Sequence, residues 1–156
     1  MKKSIAIVTS VFLIIIAGCS SSDTKMENKP AKTAPYPGEL TVNQEVKTAS
    51  GVKYIDMKEG DGDTPKRGRR IKVHYTGYLM DGTTFDTSRD DNEPLSFILG
   101  AGQVIDGWEE GISTMKIGGK RKLIVPPELG YGAEGYPELI PGNSVIVFDV
   151  ELLDVQ

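Results

Sequence analysis

The sequence predicts an α+β domain in which one antiparallel β-sheet covers one short α-helix. Three observations carry this. The apolar residues between 50 and 156 mostly repeat with a period of two, as strands do. A single stretch repeats at helical spacing. Gly, Asp and Pro bound these runs as turns or stops.

Taken in order, "SGVKYIDMKEGDG" gives a first strand, closed by a Gly/Asp turn. "RRIKVHYTGYL" alternates, with Ile71, Val73 and Tyr75 on one face and Lys72, His74 and Thr76 on the other. The helix follows Val104. Ile105, Trp108, Ile112 and Met115 are spaced three, four and three apart, and Gly118-Gly119 is its expected end. "GKRKLIVPP" is a strand stopped by Pro126-Pro127, and "NSVIVFDVELLDV" is a long last one. A sheet and one helix stay folded only if the sheet buries the helix's apolar face. Trp108, the single tryptophan, is then the helix's contact with the sheet.

The chain before this domain, residues 50–156, reads differently. Lys2 and Lys3 precede an apolar run from Ile5 to Gly18, followed by Cys19 and a serine cluster. The run falls short of the roughly 20 residues of a membrane span. It has the charged start, apolar middle and small-residue end of a secretory signal. "IAGC" resembles the lipobox of bacterial lipoprotein precursors. That resemblance implies a signal peptide over residues 1–18, cleaved before Cys19, which carries the lipid. Cys19 is the only cysteine, so no intramolecular disulfide can form. Acyl chains contribute ~0.8 kcal/mol per buried methylene and hold a protein on a bilayer without a spanning helix. Residues 19–49 are rich in Ser, Thr, Lys, Glu and Pro and poor in aliphatics, which predicts a flexible tether.

The formal net charge is -4, and removal of Lys2 and Lys3 takes it to -6. A mildly acidic chain argues against nucleic acid or an anionic membrane surface as partner, leaving the lipid anchor as its contact with a membrane.

Patterns that suggest bond-breaking chemistry fail on inspection. "GYGAEG" fits a dinucleotide fingerprint, but that needs a helix start directly after it, and "YPELIPG" follows. "STMK" fits the S-x-x-K of acyl-serine enzymes without their partner motifs. Neighbours on a helix do not face each other, so Glu109-Glu110 reads as a solvated face. Asp90-Asp91 is an equally weak pair. His74 is the only histidine, on the polar side of its strand, which argues against zinc. No metal and no cofactor is expected. What stands out is the aromatics. Tyr131 and Tyr136 lie in "LGYGAEGYPELIPG", too rich in glycine and proline for a strand. Large rings on a loop facing a concave sheet suit an apolar ligand pocket.

Residues 51–154 resemble the FK506-binding protein (FKBP) family of peptidyl-prolyl cis/trans isomerases. The resemblance rests on "VHYTG", "G-x-x-FD-[ST]-S", "VI-x-GW-E-x-G", "YG" and "GNSVIVFDVELL". It implies a twisted antiparallel sheet wrapped around one short helix, and an active enzyme. It places Trp108 at the floor of a pocket for the substrate proline, with Tyr75, Phe85, Val104, Ile105 and Phe148 as walls. Asp86 is implied at the rim. Tyr131 offers its hydroxyl, and Ile105 its backbone N–H, to substrate carbonyls. Asp86, Tyr131, Ile105 and Phe148 are thus the implied catalytic set. Leu139 and Ile140 are implied in the loop over the opening. Leu95 and Tyr136 are implied in the substrate pocket too, and both depart from the family pattern: Leu95 stands where a wall phenylalanine is common, and Tyr136 where histidine is.

The resemblance further implies proline-containing, unfolded or folding exported polypeptides as substrates, and macrolides of the FK506/rapamycin type as inhibitors. With the lipobox, it implies a bacterial envelope protein, lipid-anchored to a membrane and facing outside the cytoplasm, at the outer membrane or in the periplasm if there are two membranes. A non-catalytic chaperone or peptide-binding module on the same fold is the alternative. Retention of Tyr75, Phe85, Asp86, Ile105, Trp108, Tyr131 and Phe148 together favours the enzyme. A long helical arm before the domain is not expected, because the tether is short and poorly patterned.

Overall fold

A computed structural model describes residues 36–39 and 43–156. The expected signal peptide (1–18), Cys19 and most of the expected tether lie outside the described residues. The described chain forms seven strands and one α-helix. The strands are β1 (Val46–Lys47), β2 (Lys53–Lys58), β3 (Arg70–Leu79), β4 (Thr84–Thr87), β5 (Leu95–Ile98), β6 (Lys120–Val125) and β7 (Ile146–Val155). The helix is α1 (Asp106–Ile112). All paired strands run antiparallel, in the order β1-β2-β6-β7-β3-β4, with β5 on the start of β3.

The four strands and the helix expected from periodicity are present. β4 and β5 escaped the alternation reading because four residues are too few to show a period. Val46–Lys47 lie inside the stretch expected as tether and pair with Tyr54 and Lys53 of β2. The helix is shorter than its apolar spacing suggested: it ends at Ile112, well before Gly118. Met115 is nevertheless buried, carried inward by the turn in which its N–H donates to Ile112 O.

Seven residues cannot hold a helix in water by themselves. Packing holds α1. Gly107 and Gly111, one turn apart, face β6 so closely that an added Cβ would lie 2.5 Å from Val125 Cγ1 and 2.5 Å from Leu123 Cδ2, respectively. The two glycines let the helix backbone rest on the sheet. Trp108 and Ile112 then enter one core with Ile71, Val73, Phe97, Leu123, Val125, Phe148 and Val150. Asp106 and Glu109 place carboxylates in the first turn, where the helix dipole favours negative charge.

Candidate active site

Between α1, the long strands and the loop after β6 lies a cavity of about 410 Å³. Trp108 lines it and is itself buried, with 4% of its surface exposed. Its indole is surrounded by rings, two of them at steep angles. Tyr75 stands at 5.0 Å and 80°, Phe148 at 5.1 Å and 84°, and Phe97 beneath at 6.0 Å and 47°. Phe85 packs edge-on against Phe148 at 5.6 Å and 87°. Edge-to-face contacts bring the positive rim of one ring to the negative face of the next. They come from β3, β4, β7 and α1, so the pocket walls are tied to four elements. The indole N–H is buried and has no hydrogen-bond partner among the described residues.

Polar groups gather at one side. The Tyr75 hydroxyl donates to Asp86 Oδ2. Burial raises the Tyr75 phenol well above its ordinary value, and the bond to Asp86 and the Asp86 charge add to it. Burial also raises Tyr131, with smaller contributions from the Asp86 charge and Tyr136. Both phenols therefore hold their protons at neutral pH. Ser88, just past β4, ties that strand's end to the middle of β3: its hydroxyl accepts from Tyr75 N–H at 2.9 Å and meets His74 Nδ1 at 2.9 Å. His74 is thus a hydrogen-bonded sheet residue.

The remaining wall is the loop from Gly102 to Ile105. Ile105 is extended (φ -60°, ψ 149°) just before the helix, and its carbonyl accepts from Trp108 and Glu109 N–H. Among the described residues its own N–H has no hydrogen-bond partner. Glu109 holds this loop. Its carboxylate accepts the N–H groups of Gly100 and of Gly102, the latter at 3.1 Å. The expectation of a solvated face therefore fails for Glu109, since a side chain reaching back across a loop leaves no mark in sequence spacing.

The cavity brings together Tyr75, Phe85, Asp86, Leu95, Val104, Ile105, Trp108, Tyr131 and Phe148. Three residues implied in the substrate pocket, Tyr136, Leu139 and Ile140, do not line it. Tyr136 and Ile140 close a tight loop by exchanging two backbone hydrogen bonds of 2.8 Å. Consecutive residues in such a bridge face opposite ways. Ile140 consequently turns into the core, 5% exposed, and Leu139 turns to solvent, 48% exposed. Tyr136 stacks edge-on against Tyr131 at 5.9 Å, one ring outside the cavity. Gly102 and Gln103 line the cavity and were missed, having neither apolar nor aromatic character to mark them. Gln103 also bonds back, accepting Ile98 N–H at 2.8 Å.

A sheet-and-helix domain with a ring-walled pocket and polar groups at one rim fits the class of enzymes that act on peptide conformation. The comparisons agree. Residues 62–153 match the family described as FKBP-type peptidyl-prolyl cis-trans isomerase. Over 107 residues the chain is 50% identical to "Peptidyl-prolyl cis-trans isomerase Fkbp12" of Drosophila melanogaster, covering 68% of this chain and 99% of that protein. It is 53% identical over 105 residues to an "FK506-binding protein" of Neisseria meningitidis, covering 67% of this chain and 96% of that one. Among solved structures it is similar to FkpA from Escherichia coli (TM-score 0.67, 48% identity, 72% of this chain and 51% of that one). It is also similar to AtFKBP13 (TM-score 0.69, 39% identity, 72% and 99%). The chain belongs to the FKBP-type family and is a peptidyl-prolyl cis-trans isomerase.

Proposed function

We propose that the chain accelerates X–Pro rotation by placing the twisted amide in the Trp108 pocket, without a nucleophile and without proton transfer. The single observation that carries this is the site itself: a ring-lined cavity with only neutral donors and one carboxylate at its rim. Rotation is slow because amide resonance must be broken, at ~18–20 kcal/mol. The twisted state has less charge separation than the planar amide, so a dry pocket holds it better. That is catalysis by differential binding. The proline ring lies on Trp108, between Tyr75, Phe85 and Phe148. Ile105 N–H and the Tyr131 hydroxyl take the flanking carbonyls. A thousandfold acceleration asks for only ~4 kcal/mol. Asp86 orients Tyr75 and the rim.

Its substrates are proline-containing exported polypeptides, and macrolides of the FK506/rapamycin type compete for the same pocket. The chain is held in the bacterial envelope by lipid on Cys19. What supports that is "IAGC" at the end of the apolar run. The test is the cis-to-trans rate of a short X–Pro peptide with and without FK506, together with labelled-palmitate incorporation in cells. Catalysis blocked by the macrolide supports the pocket, and an unchanged peptide rate rejects it. Palmitate lost on Cys19→Ser supports the anchor, and label retained by that variant rejects it.

A further inference from the structure

The face of the sheet turned away from the pocket carries a second built site. Leu123 and Phe148 are opposed across β6 and β7 and belong to the core. Their neighbours Lys122 and Asp149, also opposed, therefore project to the other face. A lysine on a sheet face ordinarily lays its stem on the surface and keeps its ammonium in water. Lys122 is instead fully buried, and Asp149 is 5% exposed.

The segment Tyr36–Glu39 covers them. The Lys122 ammonium donates to Asp149 Oδ1 and to the carbonyl of Pro37, the latter at 2.6 Å. The other carboxylate oxygen, Asp149 Oδ2, accepts Glu39 N–H at 2.7 Å. The Tyr78 ring lies beside the ammonium, 5.9 Å from its centroid. Gly38 passes over this group at φ +87°, and a Cβ there would lie 2.2 Å from Asp149 Oδ2 and 2.7 Å from Tyr78 Cε2. Each charged partner thus spends one contact on the other and one on the segment's backbone. A buried ion pair is stabilising only when its remaining bonds are met, and here the segment meets them.

We propose that Lys122, Asp149 and Tyr78 form a peptide-binding site separate from the isomerase pocket, whose ligand is the chain's own Pro37-Gly38-Glu39 turn. The site reads a carbonyl and an N–H two residues apart across a residue without a side chain. Occupied, it straps the chain before β1 across the back of the sheet. Residues 36–39 lie outside the region matched to the family.

Amide hydrogen exchange on the full chain tests this. Glu39 N–H should exchange at least about a hundredfold slower than the same sequence in a free peptide. Gly38→Val should bring it to within about threefold of the free rate, while core amides of β7 and the isomerase rate stay as in the wild type. Asp149→Asn should weaken Glu39 protection in the same direction. Free-peptide exchange at Glu39 in the wild-type chain, or protection undiminished by Gly38→Val, would overturn the proposal.

Discussion

The Tyr75 hydroxyl donates to Asp86 while its ring stands edge-on to Trp108 at 5.0 Å. The one carboxylate at the pocket is thereby tied to the pocket's floor through a single side chain. Asp86 is exposed, so its bond is partly screened. Asp86→Asn should lower kcat/KM about fivefold, the equivalent of roughly 1 kcal/mol, and leave the fold intact. A thousandfold loss in the peptide assay would instead assign Asp86 a proton-transfer role.

Tyr75 and Tyr131 give an alkaline signature. Both phenols are raised in the folded chain, chiefly by burial. Above pH about 10 the unfolded chain gives up these protons while the folded one keeps them. Stability from these groups is therefore complete below that pH and falls as pH rises through the folded values. Thermal midpoints should be flat from pH 7 to about 9 and decline from about 10. The isomerase rate should hold up to the same pH, because Tyr131 remains a donor. Tyr75→Phe should reduce the alkaline decline.

Trp108→Leu removes three ring contacts at once. Each contributes about 0.5–1.5 kcal/mol beyond area. The variant should lose about 2–4 kcal/mol in urea unfolding and at least about tenfold in kcat/KM. Trp108 is the only tryptophan, so FK506 should change the wild type's intrinsic emission on titration. Saturating macrolide without an emission change would place it elsewhere.

Gly111→Ala puts a methyl where Leu123 Cδ2 already lies. Although alanine favours helix, this variant should be destabilised by about 1–3 kcal/mol through overpacking. Equilibrium unfolding decides the sign.

Glu109→Ala releases the N–H groups of Gly100 and Gly102. Hydrogen bonds to a charged group contribute about 1.5–3 kcal/mol each when well formed, and this loop is partly in water. Exchange at both amides should quicken, and kcat/KM should fall about tenfold while global unfolding shifts little. Unchanged kinetics with a loosened loop would show that Ile105 is placed by the helix alone.

The long strands were legible because burial on one face leaves a period of two over ten residues, as in β3. Trp108 was legible as the meeting point of helix and sheet because its spacing from Ile105 and Ile112 puts all three on one face. The pocket's ring set came through the family resemblance, since Phe85 and Phe148 are 63 positions apart and no local pattern links them. What stayed hidden depends on neighbours distant in sequence. Glu109 looks like any exposed helical glutamate until the loop is seen beneath it. Lys122 and Asp149 occupy outward strand positions, and the Pro37-Gly38-Glu39 segment lies over them. Ile140 was assigned to the opening, but the two-bond bridge to Tyr136 sends it inward.

The strand order has a consequence for when this enzyme can exist. β7 is the last strand of the domain, yet it lies between β6 and β3 and carries Phe148. A chain synthesised from its N-terminus cannot join the two halves of the sheet until residues 146–155 emerge. Pairings this distant form slowly, because loop closure precedes any gain from contact. The isomerase would leave the ribosome still threadable. The pocket is therefore finished last, because its Phe148 wall arrives with the final strand.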